Sequence, residues 1–220
     1  MSYKSLFRWL FLLVSFFSLT AWADNLEPLM PITQKTAMQL YNPTGNTVAG
    51  NPNGSVTLVE VFDYNCPSCR SFQPQLLQLI KNNPDLRVVY KEYLLFGDAS
   101  RPAASAAFAA QLQDKYLAMH DAMFNAQQPL QMPEIMRIAK TVGINTQQFD
   151  KDMRSAKVAQ LVQDNENLAN QIKIEGTPTF IVANSAIAQN PNANTKQYIY
   201  KGSDGASDAL QKMIDAIKKG

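Results

Sequence analysis

The chain has 220 residues, of which 46% are hydrophobic and 10% aromatic, so it can fill a folded core and is not a disordered polypeptide. Its formal net charge of +2 gives no bulk electrostatic basis for binding nucleic acid or an anionic membrane surface. Two cysteines and one histidine are too few for a four-ligand zinc site, so no metal is expected.

The first 23 residues have the layout of a secretory signal peptide. Lys4 and Arg8 precede an apolar run at residues 9–19, and the Ala-Trp-Ala at 21–23 places small residues where a signal peptidase cleaves. An uncleaved anchor is the alternative, although the run is shorter than the roughly 20 residues of a spanning helix. We therefore expect residues 1–23 to be removed, leaving a mature chain with equal numbers of acidic and basic residues.

Residues 24–46 are polar and interrupted by prolines, which predicts an N-terminal arm with one short helix at 33–40. A domain from residue 47 to 220 follows. It opens with a short edge strand at 47–49 and a buried strand at 56–62, which is rich in β-branched and aromatic residues.

Residues 66–82 carry a helical pattern, and residues 86–93 form another apolar strand. A strand, a helix and a strand in this order predict a βαβ unit with two parallel strands.

A helical block is predicted next, as an insertion at about residues 98–157. Pro102 and Pro133 stand where helices begin, Gly143 where one ends, and Asn145 where the next is capped. A longer helix, an antiparallel hairpin of the segments 179–183 and 197–201, and a last amphipathic helix complete the chain.

Both cysteines lie in one motif, Cys66-Pro67-Ser68-Cys69, directly after the buried strand. A disulfide that closes so short a ring removes little entropy from the unfolded chain, so the pair is better explained by redox chemistry than by structural stabilisation. An inert structural disulfide is the alternative. Covalent haem attachment would need a histidine after Cys69, where this chain has Arg70.

The motif's position predicts the role of each sulfur. Cys66 is expected at the N-cap of the helix with Pro67 at the first helical position. The unpaired N–H groups and the positive end of the helix dipole would then stabilise a Cys66 thiolate. Cys69, one turn into the helix, is expected to be shielded and to act as the resolving thiol.

Three further side chains are interpreted as structural. His120 is predicted to be a packing or helix-surface residue, and Lys91 with Glu92 a solvated pair on a strand. The methionines of the helical block are predicted to fill the core.

The segment Phe-Asp-Tyr-Asn-Cys-Pro-Ser-Cys at 62–69 resembles the active-site segment of the DsbA-like branch of the thioredoxin superfamily. Gly-Thr-Pro-Thr-Phe at 176–180 resembles the proline segment of the same family, and the likeness extends over about residues 47–218. It implies an α/β thioredoxin fold with an inserted helical domain.

The resemblance also implies site residues. The Thr177–Pro178 bond would be cis and face the cysteines, with the backbone of Thr177 pairing with a bound substrate chain. Glu60, six residues before Cys66, would be a buried acid that accepts a proton or tunes the resolving thiol; a surface carboxylate is the alternative. Pro67 and Ser68 would support the site as the dipeptide between the sulfurs.

The implied activity is thiol–disulfide exchange in exported, cysteine-containing proteins of the periplasm. The cysteine pair carries the electrons itself, so no dissociable cofactor is expected, and a membrane redox partner of the DsbB or DsbD kind would recharge it.

A disulfide oxidase is one hypothesis, and an isomerase or reductase is another, since the dipeptide Pro67-Ser68 lacks the histidine of the strongest oxidases. An isomerase would be expected to form a homodimer through the arm at residues 24–46. A non-enzymatic chaperone or binding protein on the same scaffold is the third hypothesis.

Overall fold

A computed structural model describes residues 27–44, 47–190 and 196–220; the predicted signal peptide lies outside these residues. The strands are Glu27–Pro28 (β1), Val48–Gly50 (β2), Val56–Phe62 (β3), Leu86–Glu92 (β4), Thr179–Asn184 (β5) and Gln197–Lys201 (β6). The helices are Gln34–Tyr41 (α1), Pro67–Asn82 (α2), Arg101–Gln111 (α3), Tyr116–Phe124 (α4), Met132–Thr141 (α5), Thr146–Met153 (α6), Ala156–Gln171 (α7) and Ala206–Lys218 (α8). Within the described ranges, no helix is long and apolar enough to cross a bilayer.

The strands form one sheet in the order β1-β6-β5-β3-β4-β2. β3 and β4 are parallel, with α2 connecting them, and β5 and β6 form an antiparallel hairpin. The βαβ unit, the hairpin and the edge strand β2 are therefore confirmed. All seven residues of β3 are buried, as expected for a central strand covered on both faces.

Alternation along β3 divides the core into two parts. Leu58 and Phe62 face a larger core that contains α2, α8 and most of the inserted helices. Val59 and Val61 face a smaller core that contains α1 and the second half of α7. Side chains of successive strand residues point to opposite faces, which places Glu60 in the larger core with Leu58 and Phe62.

The helices α3 to α7 form the insertion between β4 and β5. Val158 and Val162 of α7 pack in the larger core, whereas Leu168 and Ala169 of the same helix pack in the smaller one. The predicted boundary at about residue 157 thus falls at the start of a helix that connects the insertion to the sheet. Asn145 caps α6 as predicted, since its side chain accepts a hydrogen bond from the Gln148 N–H at 3.1 Å.

The described part of the predicted arm, residues 27–44, is not a free arm: it packs on the sheet. β1 pairs with β6, and Leu40 and Tyr41 of α1 are fully buried. Arg87 Nη1 donates to the Tyr41 carbonyl at 2.8 Å, and Lys91 Nζ donates to the Asn42 carbonyl at 2.9 Å. Two cations of β4 therefore satisfy carbonyl groups at the negative end of α1 and hold it in place. A homodimer through this segment stays a prediction.

The prediction that Lys91 and Glu92 form a solvated pair was wrong: each is only 3% exposed. All seven residues of β4 are buried, because one face of the strand packs in the larger core and the other in the smaller core. Glu92 accepts hydrogen bonds from the Tyr116 hydroxyl at 2.6 Å and from Asn165 Nδ2 at 3.0 Å. Burial raises the pKa of Glu92 to about 7 and lowers the pKa of Lys91 to about 8.

Candidate active site

Cys66 occupies the N-cap of α2, as predicted, with φ −77° and ψ 119° and with Pro67 as the first helical residue. Its N–H donates to the Asp63 carbonyl at 3.0 Å, and its carbonyl accepts from the Arg70 N–H at 3.1 Å. The turn between β3 and α2 thereby fixes the sulfur over the first turn of the helix. Proline suits this position because the first N–H groups of a helix have no intrahelical partner.

The Cys66 thiol is strongly acidified. A hydrogen bond from the Cys69 thiol is the largest cause, and the backbone N–H groups of Cys69 and Ser68 add to it. Together they outweigh desolvation and lower the pKa of Cys66 to about 5. On its other side, the Cys66 Sγ lies 3.3 Å from the Thr177 carbonyl oxygen.

Cys69 has the opposite character. Cys69 is fully buried, whereas Cys66 is 4% exposed. Burial raises the pKa of Cys69 far above its usual value, and the hydrogen bond to Cys66 and the charge of Glu60 raise it further. The two cysteines are not bonded to each other. The opposite pKa shifts favour ionisation of the outer sulfur and retention of the proton on the inner one.

Glu60 is fully buried, so it is not the surface carboxylate of the alternative interpretation. It lies between Tyr90 on β4 and Phe180 on β5, and among the described residues neither of its oxygens has a hydrogen-bond partner. Burial, followed by the charge of Cys66, raises the pKa of Glu60 to about 8. A carboxyl group that gains and loses a proton near neutral pH therefore interacts electrostatically with both sulfurs.

The Thr177–Pro178 bond is cis, as the resemblance implied, and Thr177 is the residue whose carbonyl meets Cys66. Pro178 is followed directly by β5 and accepts a hydrogen bond from the Gly202 N–H at 2.8 Å. The predicted site residues Cys66, Cys69, Glu60, Thr177 and Pro178 therefore meet at one end of the sheet, although they are up to 118 positions apart in the sequence. Of the dipeptide, Pro67 is exposed and Ser68 is half-buried.

Sequence reasoning did not identify the polar side chains that tie the loop before Cys66 to the insertion. Asp63 accepts a hydrogen bond from Ser100 Oγ at 2.5 Å. Asn65 donates through Nδ2 to the Ala99 carbonyl at 3.0 Å and accepts from the Leu130 N–H at 3.3 Å. The only signal for these contacts in the sequence is the run of polar residues beside the cysteine motif.

Two further side chains extend this attachment. The Tyr64 hydroxyl lies 3.0 Å from His120 Nδ1, and Arg70 donates through Nη1 to the Met123 carbonyl at 3.0 Å and through Nη2 to the Ala126 carbonyl. His120 is fully buried among aromatic rings, and burial lowers its pKa to about 3. His120 is therefore a packing residue, which is one of the two roles predicted for it, and not a helix-surface residue.

This arrangement suits the chemistry of sulfur exchange. An ionised Cys66 is both a nucleophile and a good leaving group, and the buried Cys69 is placed to attack or release it. Glu60 can take up or supply the proton that Cys69 loses or gains, and the Thr177 backbone offers an acceptor beside the reacting sulfur.

Comparisons with known proteins agree with this geometry. Residues 57–201 match the family model of the DSBA-like thioredoxin domain. A thioredoxin-like oxidoreductase from Silicibacter pomeroyi DSS-3 is 33% identical, with a TM-score of 0.68, over 83% of this chain and 97% of that one.

Two curated relatives differ in how much of their length is matched. The Na⁺/H⁺ antiporter NhaA 1 of Mycobacterium sp. (strain KMS) is 29% identical over 171 residues, which are 76% of this chain but only 27% of the antiporter. The thiol:disulfide interchange protein DsbA of Bordetella pertussis is 24% identical over 69% of this chain and 75% of its own.

Proposed function

The chain belongs to the DSBA-like thioredoxin domain family of thiol–disulfide oxidoreductases, and from this premise we propose that it is a dithiol oxidase of exported proteins. The observation that carries the proposal is the asymmetry of the two sulfurs: Cys66 at the helix start has an acidified thiol, and Cys69 is fully buried with its pKa raised.

In the oxidised enzyme, a substrate thiolate attacks the Cys66 sulfur, because Cys69 is inaccessible. A substrate–Cys66 disulfide forms, the Cys66–Cys69 bond breaks, and Cys69 leaves with the electron pair. Protonated Glu60, with its pKa raised to about 8, supplies the proton that the buried Cys69 requires.

A second substrate thiolate then attacks the substrate sulfur of the mixed disulfide. The bond to Cys66 breaks, Cys66 leaves as a thiolate, and the substrate holds the new disulfide. Two electrons have passed to the enzyme, and a membrane oxidase of the DsbB kind accepts them when it restores the Cys66–Cys69 bond.

The acidified Cys66 supports the oxidase direction in particular. Whatever stabilises the thiolate stabilises the reduced enzyme, so the disulfide becomes a stronger oxidant. The predicted signal peptide supports a periplasmic location, where disulfides persist. An isomerase or reductase would use the same groups in reverse, with Cys66 attacking a substrate disulfide and Cys69 resolving it.

The test is the equilibrium of the mature protein with a glutathione redox buffer, read by thiol trapping. We expect a potential well above thioredoxin's value of about −270 mV. A potential at or below that value would exclude the oxidase and leave a reductant.

Matched single-cysteine variants assign the roles. Cys69→Ser is expected to accumulate a mixed disulfide with a disulfide-bonded protein substrate, because its Cys66 thiolate attacks the substrate disulfide, one substrate thiolate leaves, and no second enzyme thiol resolves the product. Cys66→Ser is expected to form none. Equal accumulation by both variants would contradict the assignment. If Cys66→Ser retained the protein's function in cells, a non-enzymatic binding role would replace the enzyme.

A further inference from the structure

A cavity of about 440 Å³ lies where the starts of α3 and α5 meet the end of α6. Its apolar wall consists of Pro102, Met132 and Met153. Met132 is 38% exposed, although it is a large hydrophobic residue. Exposed apolar surface of this kind, when rimmed by polar groups, is typical of a binding site.

The charges at the rim cancel one another. Asp98 pairs with Arg101 at 3.2 Å, and Asp150 forms an ion pair with Arg154. A charged ligand group would find no net field of the opposite sign and would have to disrupt one of these pairs. The cavity therefore favours an uncharged, apolar group.

The cavity is connected to the reactive sulfur through Asn65, the residue directly before Cys66. Asn65 binds the carbonyl of Ala99, which follows the rim residue Asp98. It also binds the N–H of Leu130, two residues before Met132. One side chain thus holds two of the three segments that form the cavity and fixes them relative to Cys66.

We propose that this cavity is a substrate side-chain pocket. It receives an apolar side chain of an extended polypeptide, a few residues from the cysteine that is bonded to Cys66, and Asn65 is its positioning residue. This inference rests on the proposed function, because it requires the mixed disulfide at Cys66. An extended chain advances by about 3.3 Å per residue, so the pocket selects one spacing between the cysteine and the apolar residue.

The experiment uses the oxidised full mature protein and a series of single-cysteine peptides. Leucine or aspartate is placed at successive positions on either side of the cysteine, and the rate of mixed-disulfide formation is divided by the rate with glutathione, which has no such side chain. At one spacing we expect the leucine peptide to react about tenfold faster than the aspartate peptide, as burial of part of a leucine side chain implies.

Three variants test the assignment. Met132→Glu, at a partly exposed position that tolerates a polar residue, is expected to abolish the leucine preference. Asn65→Ala is expected to weaken the leucine preference by raising KM, the peptide concentration that gives half the maximal rate. Asn65→Asp keeps the acceptor for the Leu130 N–H and is expected to restore part of the preference. Met38→Glu is the matched control, a 48% exposed methionine on α1, and is expected to keep the full preference.

A leucine preference that survives in Met132→Glu would overturn the pocket, as would the absence of a preferred spacing in the unaltered protein. An Asn65→Ala variant with unchanged KM would overturn the positioning role. Failure of the unaltered protein to react even with glutathione would overturn the proposed function itself, which distinguishes the two failures.

Discussion

The ionisation of Cys66 in the reduced protein is the property on which the proposed oxidase chemistry rests, and it can be titrated directly. With a pKa of about 5, against about 9 for an ordinary thiol, Cys66 should be almost entirely a thiolate at neutral pH. At about pH 7 this stabilises the folded reduced form by roughly 3 kcal/mol relative to an unperturbed thiol. For a two-electron couple the same free energy makes the disulfide about 60 mV more oxidising.

The sign of the pH dependence follows from the direction of the shift. Because the pKa of Cys66 is lower in the folded state than in the unfolded state, the stabilisation is complete above the unfolded pKa and is lost as the pH falls through about 5. The free energy of unfolding of the reduced protein should therefore decrease between neutral pH and about pH 5 by more than that of a Cys66→Ser variant.

The assay is the ultraviolet absorbance of the thiolate during a pH titration of the reduced protein. We expect a midpoint near 5, a higher midpoint in Cys69→Ala, which lacks the hydrogen-bond donor, and no thiolate transition in Cys66→Ser below the range where exposed tyrosines ionise. A midpoint near the ordinary thiol value of about 9 in the unaltered protein would refute the reasoning.

Two other changes test buried charges. Glu60→Gln should raise the free energy of unfolding of the reduced protein by about 3 kcal/mol at about pH 7. Burial raises the folded pKa of Glu60 to about 8, so the contribution of the carboxyl group to stability is complete below the unfolded pKa and is lost as the pH rises towards 8. Urea unfolding should show the gain vanishing in mild acid, and a gain that persists there would contradict the mechanism. Arg87→Met should cost about 1–3 kcal/mol by leaving the Tyr41 carbonyl without its donor, and it should speed amide hydrogen exchange in α1. The exposed ion-pair residue Arg137 is the control, because Arg137→Met removes only a solvent-screened surface pair and should leave stability almost unchanged. Equal effects of the two variants would remove the capping role of Arg87.

Much of the fold could be predicted because its signals are local. The bounds of β3 and β6 were predicted to the residue, since dense β-branched and aromatic runs end at turn residues. The N-cap position of Cys66 followed from the proline after it.

The wrong predictions concern segments whose environment depends on residues that are distant in the sequence, about which a local pattern carries no information. Residues 27–44 looked like an arm because their composition is polar, yet α1 is held by Arg87 and Lys91 from a strand more than 40 positions later. Lys91 and Glu92 looked solvated for the same reason: charge predicts exposure unless distant partners, here Asn42 and Tyr116, satisfy the buried groups.

The reacting cysteines of the site could be predicted from the sequence, whereas the hydrogen bonds around them could not. Cys66 and Cys69 are marked by their spacing, and Thr177 and Pro178 by resemblance to a family. The contacts of Asn65 could not be predicted, because they join one side chain to the backbone of two loops whose positions depend on the packing of the whole insertion.

The dipeptide Pro67-Ser68 contributes none of the described side-chain links between the cysteine loop and the insertion; those come from Asp63, Tyr64, Asn65 and Arg70. Substitution at positions 67 and 68 therefore leaves each of these links in place. A library randomised at those two positions would change the surroundings of the sulfurs while the attachment of the cysteine loop to the insertion stays the same. Engineers could then screen for variants that suit an oxidising or a reducing partner without loosening that attachment.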